Sequence, residues 1–244
     1  MCQRCIDTPI VRQPFARRNF LKFTAAGAAL AAAPRAFAAP PSAPPKPENV
    51  VHPDAALHRL MQGNARYVEG ITRRHDFRHE REALSKGQNP FASVLSCADS
   101  RIAPEYCFDT ARGDLFVLRI AGNFASDEMI ASLEYGVQVL NSPLILVLGH
   151  EGCGAVDSTI KSMKDGTTLP GHLPSLVAAV RPAVEAVQDQ PGNLLTNAIR
   201  RNVAVNVEKL KAAAPMLKAA ADDKKIRVVG GIYALKSGRV DLLG

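Results

Sequence analysis

The chain has 244 residues, 47% hydrophobic and 22% charged, which suits one globular domain and excludes a chain disordered throughout. Its formal net charge is +7, but residues 1–38 hold six Lys or Arg against one Asp, so the remainder carries only +2. No basic face with interleaved aromatics accompanies that charge, which removes the electrostatic case for a nucleic-acid partner.

The first forty residues read as an address. Arg17-Arg18-Asn19-Phe20-Leu21-Lys22 precedes a small, apolar run through Ala33, and Ala36-Phe37-Ala38 supplies an A-x-A cleavage site. The run is shorter than the ~20 residues a membrane span needs. The paired arginines resemble a twin-arginine export signal, although Ala16 stands where Ser or Thr is common. Residues 1–38 are therefore expected to be a removed signal peptide. The mature protein would be periplasmic or secreted, without a stable membrane anchor. Cys2-x-x-Cys5 falls in this leader and has no second ligand pair nearby. Residues 39–52, with Pro40, Pro41, Pro44, Pro45 and Pro47, read as an extended linker.

The body begins at residue 53. Leu57, Leu60, Met61 and Ala65 have helical spacing, which predicts a helix over 55–68 stopped near Gly70. The polar stretch 73–84 is helix or arm. Phe91 to Ser96, Leu115 to Ile120, Leu144 to Leu148, Ile226 to Ala234 and Arg239 to Leu243 are strand candidates. The third is continuously apolar, as in a parallel strand buried on both faces. Between them lie helical stripes at Met129, Ile130, Leu133, Val137 and Leu140, capped by Ser126 or Asp127, and at Leu195, Ile199, Val203, Val207 and Leu210. The alternation predicts an α/β fold: a mainly parallel β-sheet core over 91–244, flanked by helices and preceded by a helical arm over 53–90. In such sheets, sites form beyond the carboxyl ends of the strands.

Two strand ends carry unusual chemistry. The first runs into Cys97-Ala98-Asp99-Ser100-Arg101 and the third into Gly149-His150-Glu151-Gly152-Cys153-Gly154. Cys97 and Asp99 are two apart, so in an extended turn both face one point. His150 and Cys153 are three apart and converge if the chain turns into a helix, with Gly149, Gly152 and Gly154 allowing a tight turn. Together the segments offer two thiolates, an imidazole and a carboxylate, a zinc ligand set. If Arg101 grips Asp99 in a bidentate pair, the metal keeps Cys97, His150 and Cys153 and one open position. If Asp99 moves onto the metal, the site is closed. The body's three cysteines, Cys97, Cys107 and Cys153, are an odd number, against a framework of disulfides alone, and no C-x-x-C pair lies there to support a redox role.

Cys97-x-Asp99-x-Arg101 with His150-x-x-Cys153 resembles the signature of the β-carbonic anhydrases. Gly113 through Asn123, Ser132 to Gly136, Asn202 to Leu210 and Gly230 to Tyr233 extend the likeness over about residues 53–244. The resemblance implies one Zn2+ per chain on Cys97, His150 and Cys153, with Asp99 switching between zinc and Arg101. It also implies attack of zinc-bound hydroxide on carbon dioxide to give bicarbonate and a proton. Gln88, Phe116 and Tyr135 fall where the plant-type branch lines its substrate pocket. Ala98 and the run Ile120-Ala121-Gly122-Asn123 depart from the commoner family residues. The family assembles as dimers or larger, which makes a homodimer the expected partner state, with an N-terminal arm reaching across. Proton-shuttle candidates are His75, His79 and His172, read as loop residues. The alternatives are a carbon disulfide or carbonyl sulfide hydrolase on the same scaffold and a zinc-binding protein without catalysis. Arg101 argues against the last, since a structural site has no need of a guanidinium beside its ligand.

Overall fold

The computed structural model describes residues 51–73 and 75–243. The leader, most of the proline-rich linker and the Cys2/Cys5 pair lie outside the described residues.

Five strands form one sheet: β1 (Ala92–Ser96), β2 (Leu115–Arg119), β3 (Leu144–His150), β4 (Arg227–Tyr233) and β5 (Val240–Leu243). Their spatial order is β2-β1-β3-β4-β5; the first four are parallel and β5 returns antiparallel to β4. Every residue of β1 and β3 is buried, which explains why β3 reads as an unbroken apolar run.

The helices are α1 (Pro53–Val68), α2 (Phe77–Leu84), α3 (Pro104–Cys107), α4 (Asp127–Gln138), α5 (Gly154–Asp165), α6 (Leu173–Glu185), α7 (Leu194–Ala212) and α8 (Met216–Asp222). Ser126 is the cap of α4, its hydroxyl accepting from the Met129 amide. Asn193 caps α7 in the same way, accepting from Thr196. The α1 helix ends at Val68, just before Gly70 at φ +72°.

The strand register assigns the helices to faces. Ser93, Phe116, Ile145 and Val228 are partners across the sheet and point to one side. A Cβ on Gly136 of α4 would meet Ser93 and Phe116. On the same side, Cβ atoms on Gly149 and Gly230 would lie 2.6 and 2.7 Å from the Val203 methyls of α7. So α4 and α7 cover this face, and the two strand glycines let α7 lie directly on the backbone. The opposite face belongs to α1, whose Tyr67 hydroxyl lies 3.1 Å from that of Tyr233. Ala56, Leu60, Gly63 and Asn64 of α1 are buried, whereas α2 contributes no buried residue. Of the predicted arm, α1 is thus part of this chain's own core and only α2 stands off it.

The loop after α3 is tied to α1 by one carboxylate. Asp109 accepts from Arg66 Nε at 2.6 Å, the Thr72 hydroxyl at 2.9 Å and the Arg73 amide at 3.0 Å. Burial pushes the Asp109 carboxyl up, but Arg66 and the other donors prevail, and the net shift is downward. A depressed native pKa contributes stability that is complete above the ordinary carboxylate range, near pH ~4, and is lost as the pH falls through the native value. Asp109→Asn should therefore destabilise the protein by roughly 3 kcal/mol at pH 7. The difference between wild type and variant should shrink as the pH falls to 3, followed by urea unfolding. Asn tolerates the positive φ of 42° at this position, so the substitution reports on charge rather than backbone.

Candidate metal centre

Cys97 leaves the end of β1, His150 is the last residue of β3, and Cys153 is the N-cap of α5. Because β1 and β3 are parallel neighbours, their carboxyl ends bring all three side chains to one place. The turn between His150 and Cys153 depends on Gly152 at φ +60°. The other two glycines expected to shape it do not. Gly149 lies within β3 under Val203, and Gly154 opens α5 in free space. Convergence of His150 and Cys153 thus comes from a strand-to-helix turn and not from helical spacing.

The three ligand atoms lie within 4.8 Å of one another, and all three residues are buried. The Cys97 and Cys153 sulfurs are 4.0 Å apart. That is twice a disulfide bond length and close to the ~3.8 Å edge of a tetrahedron with ~2.3 Å zinc–sulfur bonds. His150 Nδ1 lies 2.8 Å from the Glu151 carbonyl, which only accepts, so Nδ1 carries the proton. Nε2 is then an unprotonated, fully buried acceptor, and it has no hydrogen-bond partner. An orphaned imidazole lone pair beside two thiols is the donor set of a zinc site, and the residues fit that ion.

The electrostatics agree. The Cys97 thiol is acidified chiefly by the Cys153 thiol that bonds to it, with the Gly122 amide adding to the effect and burial opposing it. The Cys153 thiol is pushed far up by its bond to Cys97 and by burial. One negative sulfur blocks ionisation of the other, and a divalent cation between them removes that conflict. The third thiol, Cys107, is raised to about 11, chiefly by burial, and takes no part.

Asp99 was expected both as a metal ligand and as the partner of Arg101. Here it takes the second place. Arg101 donates Nε to Oδ1 at 2.9 Å, Nη2 to Oδ2 at 2.7 Å, and its own amide to Oδ1 at 2.9 Å. Three N–H groups hold the carboxylate back, and Oδ2 stops 3.9 Å from His150 Nε2. The Arg101 hydrogen bonds hold the Asp99 carboxyl far below the usual carboxylate range. Arg101 also reaches the Gly152 carbonyl at 3.4 Å, joining the two ligand segments.

Two contributors were given no role in the sequence reading. Arg119, at the end of β2, donates to the Cys97 carbonyl at 3.0 Å and to the Asp99 carbonyl at 2.7 Å. The Gly122 amide donates to the Cys97 sulfur at 3.3 Å. A charged residue closing an apolar strand was the available signal for Arg119; a backbone donor leaves none.

The three predicted pocket residues stand apart from this cluster. Phe116 and Tyr135 do meet, with ring centroids 6.2 Å apart. Phe116 lies three positions before Arg119, about 10 Å down β2 from the Cys97 loop. Tyr135 is 48% exposed and Gln88 lies in an exposed loop before β1. Among the described residues, no hydrogen bond or ring contact joins the three to the cluster. Of the proton-shuttle candidates, His75 is a loop residue, but His79 lies inside α2, held by Asp76, and His172 is the N-cap of α6.

Comparison with known proteins gives a consistent result. Residues 92–240 match the family model described as carbonic anhydrase. Carbonic anhydrase 2 of Mycobacterium tuberculosis is 36% identical over 192 residues, covering 78% of this chain and 93% of that protein. The carbonic anhydrase of Mycolicibacterium smegmatis is 35% identical over the same lengths. Among solved structures, the β-carbonic anhydrase CcaA superposes with a TM-score of 0.59 at 27% identity, covering 77% of this chain and 95% of that one. Tetrameric β-carbonic anhydrases of Sordaria macrospora share the fold, with a TM-score of 0.62 at 23% identity over 78% of this chain and 98% of that one. With this sheet, this thiol–imidazole cluster and relatives matched over nearly their whole length, the chain belongs to the β-carbonic anhydrase family.

Proposed function

We propose that the protein interconverts carbon dioxide and bicarbonate at a zinc ion held by Cys97, His150 and Cys153. The observation that carries this reading is the division of labour among four potential ligands. Three aim at one point, and the fourth, Asp99, is withheld by Arg101. Three protein ligands with one open position distinguish a catalytic zinc site from a structural one. Zinc held there supplies a Lewis acid that lowers the pKa of water toward ~7.

The chain's own groups do the rest. Asp99 is ionised at every working pH, so it only accepts hydrogen bonds. From beside His150 Nε2 it takes the O–H of an incoming water and turns a lone pair toward the carbon of CO2. Arg101 keeps that carboxylate off the open position. Arg119 fixes the backbone of both Cys97 and Asp99, so the nucleophile's partners do not shift between turnovers.

Gln88 as an amide donor and Phe116 and Tyr135 as an apolar wall stand apart from the cluster within one chain, so they complete a plant-type substrate pocket only where a second copy brings them to it. The aromatic pair joins Phe116 of β2 to Tyr135 of α4 at the sheet edge, where β2 pairs only with β1 among the described residues, and Tyr135 and the α4 C-cap Val139 are exposed. A free edge with exposed apolar side chains supports a homodimer in which a second copy covers this surface. Residues 1–38 serve as a twin-arginine signal that delivers the folded protein across the membrane, a reading supported by Arg17-Arg18 and Ala36-Phe37-Ala38.

Stopped-flow hydration of CO2 with zinc-replete protein starting at Ala39 tests the activity. Rapid hydration near pH 8.5, lost in Cys97→Ser, is expected; wild-type protein with one zinc per chain and no activity above the variant would contradict it. Arg101→Ala should lower kcat/KM at least tenfold while zinc content stays at one per chain, since Asp99 is released but Cys97, His150 and Cys153 all remain. Sedimentation should show a dimer or larger, and Tyr135→Arg should shift it toward monomer; a fully active wild-type monomer would sink the interface. In cells, Lys at both 17 and 18 should leave the precursor unexported, as followed by fractionation.

A further inference from the structure

The 19-residue helix α7 carries two asparagines on its buried face, Asn202 and Asn206, which are 1% and 3% exposed. A buried amide in a helix is costly unless its hydrogen bonds are made. Here the two asparagines bond to each other and to one loop. Asn202 Nδ2 donates to the Gly122 carbonyl at 2.8 Å. Asn206 Oδ1 accepts from the Ala125 amide at 2.7 Å. Asn206 Nδ2 donates back to the Asn202 carbonyl at 2.8 Å and to Asn202 Oδ1 at 3.3 Å, which fixes the orientation of both side chains. One turn further on, Lys209 Nζ donates to the Ala125 carbonyl at 2.6 Å.

The loop so held is the one that reaches the metal centre. Gly122 is gripped on both sides: its carbonyl by Asn202, and its N–H on the Cys97 sulfur at 3.3 Å. Its φ of +86° is open to glycine, and a Cβ there would crowd Val180 at 3.2 Å and Ala155 at 3.4 Å. Among the described residues, no side chain other than Asn202 bonds the Gly122 carbonyl, so the α7 contacts set its orientation.

We propose that Asn202, with Asn206 and Lys209 behind it, is a positioning residue for the metal centre, acting through Gly122 to hold an N–H donor on the Cys97 sulfur. A thiolate that accepts an N–H bond gives less charge to its metal, which leaves the metal a stronger Lewis acid. The brace therefore sets ligand strength as well as loop shape. The proposal rests on the reading that Cys97, His150 and Cys153 hold zinc.

The test uses the mature protein and three variants. Asn202→Leu removes the donor to Gly122 at similar volume. Lys209→Met is a milder second break in the same brace. Asn64→Leu is the control. Asn64 is as buried, at 2%, and its side chain is as fully bonded, to the Cys107 and Gly238 carbonyls and the Val240 amide, but it touches no part of the Cys97 loop. Each protein is loaded with Co2+ for the sulfur-to-cobalt charge-transfer band, and with Zn2+ for its loss to a chelator. Melting temperature is measured in parallel. Asn202→Leu should shift the charge-transfer band as the sulfur becomes a stronger donor, and release zinc ~10–100-fold faster because the loosened loop no longer holds Cys97 in place, the scale by which outer hydrogen-bond partners change metal affinity. Lys209→Met should move both in the same direction by less. Asn64→Leu should lose melting temperature with band and release rate unchanged. If Asn202→Leu fails to fold, Lys209→Met decides alone. Wild-type band and release rate in the folded brace variants, or equal changes in Asn64→Leu, would overturn the proposal. A wild-type protein that binds no cobalt would overturn the zinc reading and this inference with it.

Discussion

Two buried sulfurs 4.0 Å apart, beside a buried imidazole nitrogen without a partner, are a configuration that protein atoms alone leave unresolved. The sulfurs cannot both ionise next to each other, and the imidazole lone pair has been stripped of water with nothing in return. A divalent cation satisfies all three at once. Much of the surrounding structure keeps this arrangement in place.

The sheet supplies the frame. Two adjacent parallel strands end side by side, so a residue just past β1 and the last residue of β3 are neighbours by construction. Gly149 and Gly230 let α7 press onto the sheet, which brings its polar positions to the level of the loop after β2. That loop then reaches back to Cys97 through Gly122, while Arg119 and Arg101 fix the backbone and the carboxylate on the other side. The cluster is buried, but Arg101 and Asp99 stand at its exposed rim, where water and a small uncharged substrate have access. Strand ends carry the thiols and the imidazole, and a polar rim carries the carboxylate and guanidinium, a separation that suits the proposed reaction, which needs one fixed electrophile and constant exchange with solvent.

The strands and the two long stripes were legible because their apolar periodicity is strong. Leu144 to Leu148 reads as a doubly buried strand, as β3 proves to be, and the Leu195–Leu210 stripe runs the length of α7 with its cap one residue before Leu194. Other elements left weaker marks. The α6 helix carries Pro182 in its interior, which breaks the usual helical pattern, and α8 is a short alanine-rich turn sequence of seven residues. The α5 helix begins in the glycine-rich ligand segment, where turn chemistry masks the helix start. At the site, side-chain ligands were readable because zinc restricts the residue types and strand ends restrict their places. Asp99 was readable only as one of two states, since choosing between them depends on where Arg101 lies in space. Arg119 left only the mark of a charged residue closing an apolar strand, while the Gly122 amide and the asparagines of α7 were out of reach because their partners lie about 25 to 80 residues away and involve backbone atoms, which look the same in every sequence.

The most direct measurement is zinc K-edge X-ray absorption on the mature protein carrying one zinc per chain. Two sulfur scatterers at ~2.3 Å with two lighter ones at ~2.0–2.2 Å are predicted, one from His150 and one from the open position. A shell of nitrogen and oxygen alone, or a protein that purifies and reconstitutes without zinc, would contradict the assignment of Cys97, His150 and Cys153 as the metal centre.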